Sequence, residues 1–492
     1  MSSSQINNIK FLFKDSFVYG GASAISKAFS LIIFPILIKN FTVSEYGTLD
    51  FLSALSSFLL IFLIFGQDSN VARFYYDFQT DKEKKDLISQ SLFFQLLFSF
   101  LLIPFLWFNS EIIIQYFFNN LKINVYFKII LIQIPSLILI NFSQNILKWT
   151  FNKKKFLIIS LGYTFIQTII LFLIVNFKKI NIIDYLLMNC ILSYIFGIIG
   201  LYFTKQWLTI PKTFNIIRNT FSFSFSYGII CIITSLLPTL ERSLTLNILG
   251  THSLGIYATS IKIAMLIGLL VNAFQTAWGP FSLSIFKEKD TIQTYNLVLK
   301  FYTILLVLSI ILVSTFSKII LFTLAPIEYQ NAYLYIFTIC LSISIQSIIS
   351  IFEIGITYSK KSYYFLIINI ITILCSFLFM NLLIPYYGIF GLINAVLFTQ
   401  IIKLIITYII SQRVYFLNWE INQVSIILIL TFCFSFFLNI YNFYFSINYT
   451  IYYILFFCLF FSIITIYYFI SKNEYKFFKI YINKHFTKKL FK

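Results

Sequence analysis

The sequence contains few charged residues and few of the side chains that commonly carry catalysis or bind metals. Asp, Glu, Lys and Arg make up 11% of the 492 residues, and only two histidines are present. Soluble domains contain about 25% charged residues, so a soluble globular protein is excluded. His252 and His485 are far apart, and neither the cysteines nor the histidines have a metal-binding spacing. We therefore predict neither a metal site nor a cofactor.

Long polar segments are also missing. No predicted loop is much longer than about 20 residues, and the longest one on the side of the N-terminus, residues 68–87, is rich in charge, with nine charged residues among its 20. A membrane-bound glycosyltransferase or polymerase usually carries its chemistry on a large loop outside the membrane, so we predict that the protein is not an enzyme. The sequence also has no Gly-rich phosphate loop and no basic-aromatic surface, which argues against nucleic acid as a partner.

Hydrophobic residues, in contrast, make up 59% of the chain, and the mean hydropathy is +0.89. A helix needs about 20 residues to cross the ~30 Å hydrocarbon core of a bilayer. Runs such as residues 91–108 and 454–470 are apolar on every side, whereas the strands of a transmembrane barrel alternate apolar and polar residues. The sequence therefore predicts an all-α, polytopic membrane protein.

Apolar runs bounded by charge or by Asn, Pro and Gly clusters predict about fourteen transmembrane helices. The first six lie near residues 17–39, 48–67, 88–108, 125–147, 156–176 and 184–204. The other eight lie near residues 222–249, 254–277, 297–317, 333–355, 364–384, 388–411, 423–442 and 449–470.

An internal repeat divides this map into halves. The sequence SFVYG at residues 16–20, at the start of the first helix, recurs as SFSYG at residues 224–228, at the start of the seventh. Gly47 and Gly255 match at the same offset of 208 residues. Parallel repeats of this kind occur in transporters. We predict one six-helix lobe over residues 1–210, a second over residues 211–411, and two further helices with a basic cytoplasmic tail over residues 412–492.

Basic residues are distributed unequally between the two sides of this map. Of the 36 Lys and Arg residues, 25 lie on the side of the N-terminus, 6 on the opposite side and 5 within predicted spans. Cytoplasmic loops carry an excess of Lys and Arg, so we predict that both termini are cytoplasmic. The net charge of +19 is accordingly expected to contact anionic phospholipid.

Four basic residues within or at the edge of predicted spans are suited to a water-filled cavity: Lys27, Arg242, Lys262 and Lys403. An ionisable group near the bilayer centre costs about 2.5–3.5 kcal/mol on insertion scales, so it usually faces a cavity or a partner. Polar residues at spacings of three and four indicate that helices 1, 2, 7, 8, 10 and 12 of the map line one central cavity. The alternative is that the lysines reach the interface or pair with carboxylates that hold helices together.

A cavity with several cations and few carboxylates attracts anions, so the four basic residues are predicted to bind a negatively charged cargo. In a bilayer, the common large anionic cargo is a polyprenyl diphosphate that carries sugars. Return of a transporter to its starting state can use a coupling cation. The acidic residues predicted to hold such a cation are Asp50, Glu241 and Glu353.

Several motifs stand in a definite order between residues 10 and 410. They are SFVYG at 16–20, Lys27, Pro35, EYG at 45–47, ARFYYD at 72–77, ER at 241–242, LG at 249–250, LGIY at 254–257, EIG at 353–355, KKS at 360–362 and NLLIPYYGIFG at 381–391. In this order and spacing, the sequence resembles lipid-linked oligosaccharide flippases for O-antigen and capsule, of the polysaccharide biosynthesis protein family.

The resemblance implies a fourteen-helix bundle of the multidrug/oligosaccharidyl-lipid/polysaccharide exporter superfamily, with two lobes around a central cavity. It implies a non-catalytic flippase that moves undecaprenyl-diphosphate-linked oligosaccharide repeat units across the bacterial cytoplasmic (inner) membrane by alternating access, for O-antigen, capsule or exopolysaccharide biosynthesis. A polysaccharide polymerase and a chain-length regulator would be its protein partners. Position 27 holds Lys, whereas bidentate binding of the diphosphate at that position would need Arg.

Two other functions stay open on the residues alone. A cation-coupled drug exporter of the same superfamily should have a more acidic cavity. A membrane polysaccharide polymerase or ligase should have a large outer loop with basic catalytic residues. The excess of cations and the short loops favour the flippase over both.

Overall fold

The computed structural model describes residues 21–22, 25–118, 122–177, 179–211, 213–286, 291–359, 361 and 363–444, and their regular elements are all helices. In the first half of the chain these are α1 (residues 25–40), α2 (Val43–Ile64), α3 (Gln67–Phe74), α4 (Asp81–Phe108), α5 (Ser110–Phe117), α6 (Lys122–Trp149), α7 (Lys153–Phe177) and α8 (Ile182–Thr204). In the second half they are α9 (Asn215–Ile285), α10 (Thr291–Leu324), α11 (Tyr333–Phe352), α12 (Ile354–Tyr358), α13 (Tyr363–Val414) and α14 (Ile421–Tyr444).

Two of these helices are broken at a glycine. Gly250 interrupts α9 with a φ of 81°, and Gly388 interrupts α13 with a φ of 57°. Positive φ is costly for a residue with a Cβ, and glycine removes that cost. We therefore treat α9a (residues 215–249) and α9b (residues 251–285) as separate spans, and likewise α13a (residues 363–387) and α13b (residues 389–414).

The all-α, polytopic architecture predicted from the sequence is confirmed. Thirteen of the predicted helices have a counterpart among the described residues, while the fourteenth and the basic tail lie outside them, so the total of fourteen stays a prediction. In the described ranges, ten continuous helices are long and apolar enough to cross a membrane, and α9 and α13 each count once in that number. The chain is therefore a multi-pass membrane protein.

The loop expected over residues 68–87 is largely helical instead. The short helix α3 occupies its first part, and α4 begins at Asp81, seven residues before the predicted start. Thr80 and Glu83 form a capping box, in which the Thr80 hydroxyl accepts from the Glu83 amide and the Glu83 carboxylate accepts from the Thr80 amide. This cap stabilises a charged first turn that hydrophobicity alone does not reveal.

The two halves of the chain meet where α2 packs along α9. A Cβ on Gly47 would lie 2.2 Å from the Thr251 carbonyl oxygen, and a Cβ on Gly255 would lie 2.0 Å from the Val43 carbonyl oxygen. The backbones therefore touch at a distance that only glycine permits. Gly47 and Gly255 are the two glycines that the internal repeat makes equivalent, whereas residues 16–20 of the repeat lie outside the described ranges.

Large apolar side chains on the outside of the bundle suit contact with lipid. Phe100 on α4 is 75% exposed, and Phe108 at the end of the same helix is 85% exposed. Exposed apolar surface of this extent is unfavourable in water and is the expected outer surface of a membrane-spanning bundle. The polar side chains considered next lie between the helices rather than on this outer surface.

Candidate functional site

A cavity of about 280 Å³, lined by both polar and apolar side chains, lies among the helices of the second half of the chain. Side chains from α9a, α9b, α11, α13a and α13b line it. Its polar lining residues are Thr234, Glu241, Arg242, Tyr257, Ser342, Gln346, Asn369, Thr372, Gln400 and Lys403. The cavity thus combines two cations and one carboxylate with amides and hydroxyl groups.

Arg242 is held by the other half of the chain. Its Nε donates to Asp50 Oδ2 on α2 at 2.7 Å, and its Nη1 donates to the Pro238 carbonyl oxygen at 3.1 Å. The side chains of Arg242 and Asp50 are only 10% and 12% exposed. Since the pair is nearly buried, Asp50 compensates most of the charge that Arg242 would otherwise present to a ligand.

Glu241, the residue before Arg242, contacts α9b. The Tyr257 hydroxyl donates to Glu241 Oε2 at 3.0 Å. Both residues line the cavity, so a hydrogen-bonded carboxylate faces it from the same turn of α9a that supplies Arg242. This bond also ties α9a to α9b on the far side of the break at Gly250.

Lys403 is arranged differently from Arg242. Its Nζ donates to Asn369 Oδ1 at 3.1 Å, and the charge of Glu353, just after α11, acts on it from a longer distance. Among the described residues, no carboxylate lies within 4 Å of this ammonium group. A lysine ammonium has three N–H donors, so donors remain for a ligand after the bond to Asn369.

Gln400, one turn before Lys403, adds an unused acceptor. Its side chain is 6% exposed, and its Oε1 has no hydrogen-bond partner within the described part of the chain. A buried polar atom without a partner costs free energy, about 1–3 kcal/mol. A ligand that donates a hydrogen bond, such as a sugar hydroxyl, would remove that cost.

The structure brings together five of the seven residues predicted for the site. Glu241, Arg242 and Lys403 line the cavity. Asp50 forms an ion pair with Arg242, and the charge of Glu353 acts on Lys403. The predicted roles of these residues in substrate binding and ion coupling stay predictions. The structure also shows that a carboxylate of the protein offsets part of the charge of each cation. The cavity is therefore less cationic than the sequence suggested.

The remaining two residues lie elsewhere. Lys27 on α1 is exposed and Lys262 on α9b is half-buried, and neither lines this cavity. Conversely, the sequence analysis named Tyr257 only as part of the LGIY motif, with no role in the site, and it did not single out Asn369. Asn369 carries a usable signal, because it stands on the same helical face as Thr372 within an otherwise apolar run. Tyr257 has no such signal, since tyrosine is common in apolar helices.

A second, wider cavity of about 810 Å³ opens at the end of the bundle where α2 begins. Glu45 and Thr48 of α2, Tyr116 of α5, Tyr126 of α6 and Asn247 near the break in α9 line it. The Glu45 carboxylate accepts the Thr42 backbone amide at 2.9 Å in the capping box of α2, so it is already engaged. This cavity therefore lies between the two halves, next to the contact of Gly47 with Gly255.

The sequence is similar to a known protein family. The model of the family described as "Polysaccharide biosynthesis protein" matches residues 12–286. A capsular polysaccharide biosynthesis protein, CapF of Staphylococcus aureus, is 27% identical over an alignment of 273 residues, and the match covers 53% of this chain and 68% of CapF.

Solved transporter structures share the fold. The lipid II flippase MurJ in an inward-closed conformation superposes with a TM-score of 0.66 at 18% identity, over 91% of this chain and 98% of MurJ. An inward-facing multidrug resistance transporter of the MATE family, in the MOP superfamily, superposes with a TM-score of 0.67 at 8% identity, over 82% of this chain and 95% of that transporter. At these identities the similarity establishes the fold.

Proposed function

Because the chain belongs to the polysaccharide biosynthesis protein family and has a transporter fold, we propose that it moves undecaprenyl-diphosphate-linked oligosaccharides across the bacterial cytoplasmic membrane. In this proposal the protein is a flippase that works by alternating access, and it catalyses no covalent step. The product is surface polysaccharide, and a polysaccharide polymerase with a chain-length regulator acts on the translocated unit.

The proposal rests mainly on the surroundings of the Lys403 ammonium group. Its ammonium group faces a polar cavity, hydrogen-bonds a neutral amide, and has no carboxylate within 4 Å among the described residues. A diphosphate can therefore bind Lys403 without breaking an existing ion pair. The charge of Arg242 is already largely compensated by Asp50, so we assign it a smaller share of the anion binding.

The neutral lining suits the sugars. Gln346, Asn369 and Gln400 offer amide donors and acceptors, and Ser342 and Thr372 offer hydroxyl groups. Sugar hydroxyls both donate and accept, so they can pair with such groups. The cavity of about 280 Å³ lies near the lower limit of ligand pockets, about 300–1,000 Å³. It holds a head group or about one sugar, so passage of an oligosaccharide needs the helices of the second lobe, residues 211–411, to move relative to one another and to the first lobe, residues 1–210.

The orientation that we propose places both termini in the cytoplasm. The end of the bundle at which α2 begins, at Val43, is then the outer end, and the end at which α2 finishes, at Ile64, is the inner end. Exposed Lys154 lies at the inner end, where cations meet anionic phospholipid. Reaction of a cysteine at position 154 with an impermeant reagent outside intact cells would contradict this orientation.

A complementation experiment tests the proposal. In a strain that lacks this protein, we expect Lys403→Ala to reach normal membrane abundance but to restore little surface polysaccharide, while lipid-linked oligosaccharide accumulates. One charge-assisted hydrogen bond is worth about 1.5–3 kcal/mol, which corresponds to at least roughly tenfold weaker binding. Lys403→Glu should have a larger effect, because it repels the diphosphate.

The matched control is Lys154→Ala, which removes an exposed lysine of the inner surface. It should complement fully. Full complementation by both Lys403→Ala and Lys403→Glu would contradict diphosphate binding at Lys403.

A further inference from the structure

The wider of the two cavities, of about 810 Å³, lies at the outer end of the bundle in the orientation proposed above, and we call it the outer cavity. Its volume is within the range of about 300–1,000 Å³ that is usual for ligand pockets. The start of α2 supplies one wall, and the break of α9 at Gly250 supplies another. A Cβ on Gly250 would meet no atom within 4 Å, so this wall borders open space. The outer cavity therefore has a wall from each half of the chain.

The outer cavity differs in charge from the cavity that contains Lys403. Among the described residues that line it, Glu45 is the only charged one. The Oε2 atom of Glu45 accepts from the Thr42 backbone amide at 2.9 Å and from the Thr42 hydroxyl at 3.0 Å, whereas no described residue hydrogen-bonds Oε1. That second oxygen can accept from a ligand hydroxyl or amino group. Since these residues offer no cation, we expect a ligand that is not anionic.

Several uncharged polar side chains of the outer cavity make no hydrogen bond to the described part of the chain. They are the side chains of Ser44, Tyr116, Tyr126, Asn247 and Thr251. The Asn247 amide has both donors and an acceptor, and each of the hydroxyl groups can donate and accept. Sugar hydroxyls also donate and accept, so a sugar can pair with these groups without displacing a contact within the protein.

Aromatic rings give the outer cavity flat apolar surfaces. Tyr116 and Phe117 of α5, Phe118 directly after it and Tyr126 of α6 all line the cavity. The fully buried Phe51 of α2 packs against Phe117 and Phe118, with ring centroids 5.1 and 5.3 Å apart. The C–H face of a sugar ring can pack on such an aromatic ring while the hydroxyl groups at its edge reach polar side chains. The lining of the outer cavity offers both kinds of contact.

Other classes of ligand fit this lining less well than a sugar does. A metal ion would need several ligands, and among the described residues no group of three or more His, Cys, Asp or Glu side chains could hold one. A phosphate would meet no cation among the described lining residues. An apolar molecule would remove water from Glu45 and Asn247 without replacing the lost hydrogen bonds. A ligand that combines C–H faces with hydroxyl groups meets none of these difficulties.

We propose that the outer cavity is a second binding site for the cargo, and that it binds uncharged or amino sugar residues of the oligosaccharide. The inference rests on the proposed function, because it places sugars of the same lipid-linked cargo at the outer end of the bundle. Recognition is then divided between two sites. The diphosphate pairs with Lys403 in the cavity of the second half, and sugar residues hydrogen-bond and stack in the outer cavity.

Binding of the free oligosaccharide to the full-length protein in nanodiscs tests this inference without translocation. The probe is the host oligosaccharide after mild acid has removed its lipid and its diphosphate, and saturation-transfer-difference NMR gives the Kd. We expect saturable binding by the unmodified protein. Asn247→Ala should weaken it about two- to tenfold, because one neutral hydrogen bond is lost. Tyr116→Ala should also weaken it, because a ring surface and a hydroxyl group are lost together.

The matched controls are Asn422→Ala and Tyr386→Ala, which remove an exposed amide and an exposed tyrosine that line neither cavity. Both should keep the Kd of the unmodified protein. The inference is overturned if the unmodified protein shows no saturable binding of the probe, and equally if Asn247→Ala and Tyr116→Ala both bind it unchanged. Because the probe carries no diphosphate and the assay has no translocation step, these outcomes are independent of the complementation results for Lys403.

Discussion

The two ends of the contact between α2 and α9 are built from different interactions. At the outer end, Gly47 and Gly255 bring two backbones together, and the nearly buried pair of Asp50 and Arg242 lies about one turn further along α2. The Tyr329 hydroxyl adds a bond to the Phe41 carbonyl oxygen at 2.8 Å. At the outer end, the nearly buried charges of Asp50 and Arg242 are therefore paired, and the two backbones are in direct contact.

The inner end has a similar glycine contact, but fewer of its buried polar atoms have hydrogen-bond partners among the described residues. Gly66 packs against α9a, yet Gln67 Nε2 and Asn70 Oδ1 are buried with no hydrogen-bond partner among the described residues. Asp68, the residue after Gln67, has no cation within 4 Å in the part of the chain that the structure describes. Water entering this end can satisfy these groups, whereas water entering the outer end would weaken the ion pair. The comparison indicates that the inner end opens at a lower free-energy cost than the outer end.

The largest expected effect comes from breaking the ion pair at the outer end. Asp50→Ala leaves the Arg242 guanidinium nearly buried without its carboxylate, which costs about 3–5 kcal/mol of the free energy of unfolding. We expect a large decrease in thermal midpoint and in membrane abundance. The double variant Asp50→Leu with Arg242→Met should recover most of the lost stability, because it leaves no unpaired charge. If Asp50→Ala melts like the unmodified protein, the pair does not hold the outer end together.

A smaller but still clear effect is expected from the glycine contact. Gly255→Ala places a Cβ 2.0 Å from the Val43 carbonyl oxygen, so α2 and α9b must separate. Such overpacking costs about 1–3 kcal/mol of the free energy of unfolding. Gly268→Ala on the same helix is the matched control, because its Cβ would meet only Asn272 Nδ2, at 4.0 Å. Equal thermal midpoints for the two variants would show that the backbones are not in close contact.

The smallest of these effects concerns the inner end. Asn70→Ala removes the hydrogen bond to Thr220, which is worth about 1 kcal/mol, and it also removes a buried oxygen that has no partner. We expect faster hydrogen exchange in α3 and little change in thermal midpoint. Thr220→Val should give a similar increase, and the double variant should add little to either one. Independent, additive effects would mean that the two side chains do not act through one bond.

Much of this architecture was predictable because the bilayer fixes the length of a spanning helix. Apolar runs of about 20 residues located the helices, and the repeat identified Gly47 and Gly255 as equivalent before the structure showed them in contact. The segment over residues 68–87 was not predictable in this way, because charged residues hide helices that lie outside the hydrocarbon layer. Asp68 was therefore placed in a loop.

The composition of the cavity was predicted only in part. Periodicity identifies the polar face of a helix, but it does not identify the helix that this face meets. Lys27 and Lys403 were both predicted to bind the cargo, yet of the two only Lys403 lines the cavity. The pairing of Arg242 with Asp50, 192 residues away, depends on how the two halves pack, and no local pattern encodes it.

Reconstitution in liposomes tests the proposed translocation of a lipid-linked oligosaccharide. Purified protein would be placed in liposomes with undecaprenyl-diphosphate-linked oligosaccharide from the host in both leaflets. The measured quantity is the fraction of oligosaccharide that an impermeant sugar-modifying enzyme outside the liposomes can reach. We expect this fraction to rise from the outer-leaflet share towards completion, and to rise more slowly with Lys403→Ala. A fraction that stays at the outer-leaflet share in liposomes with the folded, unmodified protein would contradict the proposed function.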